Sequence, residues 1–331
     1  MPRFLRPGLD DRAAASAAKA LAPLPASGRC TRPNDNIGGS AMKICRYQEN
    51  AGDQIRVGVV KDGMVHDVTA AADSLPAVRW PYPPGDLFIA NLDRLRPIME
   101  DLAAKATPVP VDKVLLKNPV ANPGKFLCGA GNFTDVLAAG GHPRRLGLLF
   151  KMTSAAAGPS DGVVLRWPER VTFHEAEIAI VIGKTGTEIP AADAFDYVAG
   201  YCLGLDMTMQ GSEFPSFGKS FDTYGVMGPW LTTRDEIVDP SKLSFRLAVN
   251  GEDRQVDSLG RLVLSVADLV EHASSVMTLY PGDVIFSGTP PASVGPVVPG
   301  DVMHMQMDGL GEMTVRVHGG PGRNTPMEGM G

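Results

Sequence analysis

Two acidic side chains stand at the start of a long apolar run. Glu175 and Glu177 open the segment His174–Gly183, whose second half is almost wholly apolar. This pattern predicts a buried strand, and residues two apart on a strand project from the same face. Two buried carboxylates repel each other unless a cation or a shared proton joins them. The spacing therefore predicts a cation site, with solvated glutamates at a sheet edge as the alternative.

A third acid and a lysine follow along the chain. Asp206 ends the apolar run Tyr201–Leu205, and Lys219 lies in a glycine-flanked turn. Three carboxylates offer oxygen ligands, which suit Mg²⁺ or Mn²⁺ and do not suit zinc or copper. The ammonium of Lys219 could complement a substrate carboxylate or an enolate oxygen, and a solvated surface lysine is the alternative.

The composition excludes several classes of partner. The 331 residues carry a formal net charge of -6, so no global basic field is present to bind nucleic acid or an anionic membrane. No stretch approaches the roughly 20 apolar residues of a membrane span. The cysteines have no zinc-ligand spacing and are expected to be reduced thiols in a cytoplasmic protein. They are Cys30, Cys45, Cys128 and Cys202.

The elements that position these residues are expected to begin at Met42. Residues 1–41 mix an alanine-rich run with Pro, Gly, Ser and Asn, and are interpreted as a disordered extension or a misassigned start. Residues 42–118 are expected to form a small N-terminal domain. It would contain a strand, a hairpin through Asp62-Gly63 and a helix over 87–105.

Residues 119–320 are expected to form the main domain, after a proline-punctuated linker, and residues 321–331 a flexible tail. The short apolar runs of the main domain, separated by Gly and Pro, indicate an α+β, predominantly β fold. The predicted strands are Phe126–Cys128, Gly147–Phe150, Val163–Leu165, Ala176–Ile182, Val198–Leu205, Leu243–Val249, Val284–Ser287 and Met313–Val317. The predicted helices are Thr134–Ala139 and Ser265–Ser275.

Five segments, in this order, resemble the fumarylacetoacetate hydrolase family, with its acylpyruvate hydrolase and 2-hydroxyhepta-2,4-diene-1,7-dioate isomerase members. They read HEAEIAIVIGK, YVAGYCLGLDMT, GKSFDTYGVMGPW, VNGEDRQ and MTLYPGDVIFSGTP. The resemblance spans Lys125 to Val317, about three-fifths of the chain. It implies a mixed β-roll catalytic domain with a small N-terminal domain, and pairing into homodimers.

The resemblance also implies roles for individual residues. The three acids fall on the family's ligands for Mg²⁺ or Mn²⁺, and Lys219 on the lysine beside the metal. Thr289-Pro290 falls on the loop that grips a substrate carboxylate. His174 is interpreted as a supporting residue at the end of the strand and not as a ligand. The family chemistry acts on 1,3-dicarbonyl or acylpyruvate-type acids through a metal-stabilised enolate.

The sequence departs from the family where a mobile lid is expected. Many members carry a pattern NYxDHxxE, whose His and Glu activate water, but Val136 and Ala139 occupy those two positions here. Neither side chain can move a proton, and a missing general base costs about 10²–10⁴-fold in rate. His142 and Asp135 are candidate replacements, with solvent-exposed loop residues as the alternative.

The predicted substrate pocket departs from the family as well. Gln210 stands near a position where relatives often have an arginine, which weakens the case for a dicarboxylate substrate. The loop after Thr289 has two prolines where relatives have one, so its rim is expected to be reshaped. Arg254 is available to bind a substrate anion, and a plain surface arginine is the alternative.

Three functions stay open at this stage. The first is hydrolysis of a C–C bond in a β-dicarbonyl acid. The second is isomerisation, tautomerisation or decarboxylation of a related 2-oxo or 2-hydroxydienoic acid, which needs no activated water and is favoured by Val136 and Ala139. The third is an inactive paralogue that binds a small acid, and retention of the acids and Lys219 counts against it. All three imply a small carboxylic acid as partner.

Overall fold

The computed structural model describes residues 41–322. The predictions for the N-terminal extension, Cys30 and the last residues of the tail therefore lie outside the described part of the chain. The α-helices are α1 Leu87–Ala90, α2 Leu92–Lys105, α3 Thr134–Ala138, α4 Pro143–Leu146, α5 Pro215–Gly218 and α6 Val266–Ser274.

Strands dominate the rest of these residues. The first ten are β1 Lys43–Gln48, β2 Arg56–Lys61, β3 Met64–Asp67, β4 Val109–Pro110, β5 Leu115–Lys117, β6 Phe126–Gly129, β7 Leu148–Lys151, β8 Ala156–Ala157, β9 Val163–Leu165 and β10 Thr172–His174. The others are β11 Ala176–Ile182, β12 Val198–Asp206, β13 Thr208–Met209, β14 Gly225–Thr233, β15 Ser244–Val249, β16 Glu252–Ser258, β17 Val284–Phe286, β18 Gly295–Val297, β19 Val302–Met307 and β20 Gly311–Gly319. Each strand predicted for the main domain is present, with ends shifted by at most two residues.

A mixed 12-stranded sheet runs through residues 41–322 in the order β4-β3-β2-β1-β14-β12-β11-β17-β6-β7. Strand β5 pairs with β1, and β8 with β14. The β17–β6 and β14–β8 pairs are parallel. Two smaller sheets have the orders β13-β10-β18 and β16-β15-β19-β20-β9. The α+β, predominantly β class is confirmed.

The N-terminal segment joins this sheet through β1. Lys43 and Ile44 face Thr232 and Leu231 of β14 across the strand pair. The predicted hairpin is present between β2 and β3, and both residues of its Asp62-Gly63 turn have positive φ, as the favoured two-residue turn requires. The domain boundary at residue 118 stays a prediction, and the sheet itself crosses it.

The helix predicted over residues 87–105 is interrupted. Asp86 caps α1 by accepting hydrogen bonds from the backbone N–H groups of Phe88 and Ile89. The short helix α1 ends before Asn91, and α2 begins directly after it. The apolar periodicity nevertheless gave the correct buried face, since Leu95 and Met99 of α2 belong to one core cluster with β1 and β2.

The strands that carry Glu177 and Asp206 lie within the main sheet, and Glu175 directly precedes the first of them. All seven residues of β11 are buried, and β11 pairs with β12 on one side and β17 on the other. Complete burial explains why residues 178–182 are continuously apolar and do not alternate. The three described cysteines, Cys45, Cys128 and Cys202, are buried and free, as predicted. No helix within residues 41–322 combines the length and apolar character that a membrane crossing requires.

Truncation of a core side chain in α2 tests this packing. Leu95 is fully buried, so we expect Leu95→Ala to lower the free energy of unfolding by about 2–5 kcal/mol. Leu137 is 42% exposed, and the matched Leu137→Ala change is expected to cost no more than about 0.5 kcal/mol. Chemical denaturation followed by circular dichroism measures both. Equal effects of the two changes would contradict the placement of α2 in the core.

Candidate metal centre

Strand pairing brings the three acids together. Glu177 lies opposite Gly204 in the β11–β12 pair, and the backbone N–H of Asp206 donates to the carbonyl of Glu175 at 2.9 Å. One carboxylate oxygen from each acid lies within 4.8 Å of the others. Asp206 and Glu177 are buried, whereas the side chain of Glu175 is 15% exposed. The acids therefore share one buried site, which rules out solvated glutamates at a sheet edge.

Lys219 supplies positive charge to this group of carboxylates. Its ammonium donates to Glu175 Oε2 at 2.8 Å, to Asp206 Oδ2 at 2.7 Å and to Thr208 Oγ1 at 2.7 Å. Burial alone would lower the pKa of Lys219, but the carboxylates of Asp206 and Glu175 outweigh it and raise that pKa well above its ordinary value. Lys219 is therefore a cation in this arrangement, and its three N–H groups are taken up by Glu175, Asp206 and Thr208.

A backbone donor meets the most deeply placed glutamate. The N–H of Gly288 donates to Glu177 Oε2 at 2.6 Å. Gly288 has φ of +88°, and a Cβ there would lie 2.6 Å from the carbonyl oxygen of Gly129, so only glycine fits. Burial, followed by the charge of Asp206, raises the pKa of Glu177 well above its ordinary value. A cation placed among these oxygens would favour the ionised carboxylate.

A second buried lysine, Lys151 at the end of β7, lies beside the carboxylate of Asp206. Its Nζ lies 2.7 Å from Asp206 Oδ1, as an ion pair without hydrogen-bond geometry. Burial pushes the pKa of Asp206 upward, but Lys151 and Lys219 together hold it below its ordinary value. The sequence analysis missed Lys151, because a lone lysine at a strand end carries no spacing signal toward acids more than 20 positions away.

The acids open into a cavity of about 320 Å³. Beside the acids its wall carries polar groups from Thr208, Lys219 and Thr289, and Gln210 adds a side-chain amide. The remaining wall is largely apolar and includes Leu149, Phe173, Pro215, Pro291 and Val294. This volume fits a small organic acid. The carboxylate donor set fits a hard divalent cation such as Mg²⁺ or Mn²⁺.

Two of the three predicted substrate-binding residues line this cavity. Thr289 Oγ1 donates to the carbonyl of Ala176 at 3.0 Å, which fixes the hydroxyl beside the acids. Gln210 Nε2 donates to the carbonyl of Thr208 at 3.2 Å. Arg254 is not among the lining residues and forms an exposed ion pair with Glu252 at 3.4 Å. Its predicted contact with substrate has no support from this geometry.

The two candidate bases of the lid also lie away from the cavity lining. His142 is the N-cap of α4, where its Nδ1 accepts a hydrogen bond from the backbone N–H of Arg144 at 3.2 Å. Asp135 forms an ion pair with Arg261 at 2.5 Å. Both side chains thus have structural partners, and their catalytic role stays a prediction.

A buried glutamine supports the acid-bearing strand. Gln255 Oε1 accepts from the backbone N–H of Ala176 at 2.9 Å and lies 3.2 Å from His174 Nδ1, while its Nε2 donates to Thr289 Oγ1 at 2.8 Å. Burial lowers the pKa of His174, which favours a neutral ring. His174 is buried at the end of β10, and its supporting role stays a prediction. Gln255 closes the VNGEDRQ segment, the signal from which it could have been found.

Comparison with known proteins agrees with this geometry. Residues 125–318 match the family described as fumarylacetoacetate (FAA) hydrolase C-terminal. A maleylpyruvate hydrolase of Aquipseudomonas alcaligenes is 45% identical over 290 residues, which cover 83% of this chain and 99% of that protein.

Two solved structures of related enzymes also resemble this chain. Maleylpyruvate hydrolase from Sphingobium sp. SYK-6, in complex with manganese(II) and pyruvate, is 38% identical with a TM-score of 0.73, covering 84% of this chain and 100% of that one. The 2-hydroxyhepta-2,4-diene-1,7-dioate isomerase from Mycobacterium marinum is 27% identical with a TM-score of 0.63, covering 84% and 98%. The family resemblance and the fold it implied are confirmed: this chain belongs to the fumarylacetoacetate hydrolase family of enzymes.

Proposed function

We propose that this enzyme is a metal-dependent hydrolase that cleaves a C–C bond of an acylpyruvate-type acid, with maleylpyruvate as the first substrate to test. The observation that carries the proposal is the buried group of Glu175, Glu177 and Asp206 with Lys219 among them, at one end of a small cavity. The substrate class is suggested by the two maleylpyruvate hydrolases among the relatives. The proposal includes the homodimer that the family resemblance implies.

The three acids would hold one divalent cation. Manganese is the first choice, because the Sphingobium relative was solved with that ion, and magnesium accepts the same oxygen donors. When bound, such an ion supplies a Lewis acid for adjacent oxygens of a 2-oxo acid.

The surrounding side chains have separate tasks in this reaction. Lys219 lines the cavity as a buried cation, and its positive charge would stabilise the oxygen that gains negative charge as the C–C bond breaks. The Thr289 hydroxyl lines the cavity, and we propose that it turns its hydrogen from the carbonyl of Ala176 to the substrate carboxylate when the acid binds. The apolar wall around Phe173 and Leu149 excludes bulk water and receives the rest of the acid.

One observation favours the second candidate, an isomerase. Val136 and Ala139 stand where many members of the family have the two residues that activate water, and isomerisation or tautomerisation passes through an enolate without needing that step. The Mycobacterium isomerase is a structural neighbour at lower identity than the maleylpyruvate hydrolases. The identity of the product separates the two reactions.

Metal-dependent release of pyruvate tests the proposal. With maleylpyruvate and Mn²⁺ we expect stoichiometric pyruvate, which a coupled dehydrogenase assay detects, and its loss on chelation. Glu177→Gln removes a ligand charge without changing shape, and should reduce the rate at least about 10²-fold. Glu252 carries an exposed side chain, so Glu252→Gln is the matched control and should leave the rate unchanged.

A metal-dependent change in the enol absorbance without pyruvate would establish the isomerase instead. No metal-dependent change of any kind would favour the inactive paralogue.

Variants of the lid test the two candidate bases. His142 caps α4 and Asp135 pairs with Arg261, so we expect His142→Ala and Asp135→Asn to keep kcat within about threefold of the wild type. Lys219→Met, which removes the positive charge from the cavity wall, should reduce kcat by about 10²–10³-fold. Steady-state kinetics at saturating metal measures all three. A loss of about 10²-fold or more in either lid variant would restore that residue as the general base.

A further inference from the structure

We propose that Lys151 sets the net charge of the metal centre, so that the centre becomes cationic once a divalent ion is bound and attracts an anionic substrate. This inference rests on the proposed function, because it assumes that the three acids hold such an ion. It concerns a residue that lies behind the acids and not in the cavity.

The contacts of Lys151 exclude a direct part in chemistry. Its side chain is fully buried, and it is not among the residues that line the cavity. Its Nζ lies 2.7 Å from Asp206 Oδ1 and donates to the carbonyls of Lys219, Tyr224 (3.0 Å) and Met207 (3.4 Å). An ammonium has three N–H groups, so none is left for a substrate. Lys151 therefore acts on the centre through its charge and not by contact with a substrate.

The charges in and directly behind the acid group can be counted among the described residues. With all three acids ionised, as metal ligands must be, the carboxylates and the ammonium groups of Lys219 and Lys151 leave one net negative charge. A divalent cation turns this into one net positive charge. Without Lys151 the loaded centre would be neutral.

The ion pairs that these acids form among the described residues are those with Lys219 and Lys151. In a site with little water, one added or missing charge acts far more strongly than it would in solution.

A charge-setting role and a purely structural role predict opposite changes in metal binding. If Lys151 only fixed the position of Asp206, its loss would displace a ligand and weaken binding of the cation. If it sets the charge, its loss removes repulsion and leaves cation binding equal or tighter. The same loss then weakens binding of an anion to the loaded centre.

The experiment is a pair of calorimetric titrations with no turnover step. Mn²⁺ is titrated into the metal-free enzyme, and pyruvate into the Mn²⁺-saturated enzyme. We expect Lys151→Met and Lys151→Gln to bind Mn²⁺ with an equal or lower Kd, and pyruvate with a Kd at least about tenfold higher. Lys125→Met is the matched control, because Lys125 forms a similar ion pair with the buried Asp283 at 2.8 Å, away from the cavity lining. It should bind both ligands as the wild type does.

Other outcomes overturn the proposal. Weaker Mn²⁺ binding in the Lys151 variants would make the residue an anchor for Asp206, and unchanged pyruvate binding would remove its effect on the substrate. Lys151→Gln keeps a hydrogen-bond donor for the buried carbonyls. If Lys151→Met fails to fold, the two titrations of Lys151→Gln alone test the proposal. Failure of both variants to fold would show a structural role. A wild type that binds neither Mn²⁺ nor pyruvate overturns the proposed function as well, whereas normal wild-type binding with unaffected variants overturns only the role of Lys151.

Discussion

Repulsion between three carboxylates inside a protein is the constraint around which the rest of this structure is arranged. Burial makes each negative charge costly unless positive groups stand close by. The fold places two lysine ammonium groups and the N–H of Gly288 directly on these oxygens. Each comes from a different part of the chain, so the acid group can form only after β7, the turn at Lys219 and the loop after β17 have packed together. The metal centre is thus a product of the complete tertiary structure and not of one motif.

The central position of β11 and β12 holds the acids rigidly. Hydrogen-bonded neighbours on both sides fix β11, and β12 lies between β11 and β14. Gln255 ties the start of β11 to Thr289, which links the acids to the group proposed to bind the substrate carboxylate. Preorganised charges of this kind stabilise a developing oxyanion without having to move during the reaction. The segment that carries Asp135 and His142 has no such support from paired strands, because it consists of the short helices α3 and α4 with glycines beside them.

The sequence predicted the features that depend on neighbouring residues, and it missed those that depend on contacts between distant parts of the chain. Apolar runs gave the strands of the main domain, and the two-residue spacing predicted that Glu175 and Glu177 lie close together, although Glu175 precedes β11 and does not belong to it. Asn91 was missed as a break, because the apolar periodicity continues through it. Lys151 was missed because its partners are distant in sequence, and only the completed sheet shows that it is buried. Arg254 was a candidate by residue type alone, and the structure gives it an exposed ion pair. His142 follows two glycines, so its direction depended on a helix cap that no pattern indicated.

The cavity wall is formed partly by the central sheet and partly by loops and helix ends. The acids and Lys219 are held by the central sheet and by buried ion pairs, whereas Gln210, Pro215, Pro291 and Val294 lie on loops, helix ends and short helical turns. Sequence change in those loops can therefore reshape the pocket without disturbing the charged centre. The charged end of the cavity and the shape of its outer wall are therefore determined by different parts of the chain. An engineer seeking a new acid substrate would randomise this outer wall and leave the central strands untouched.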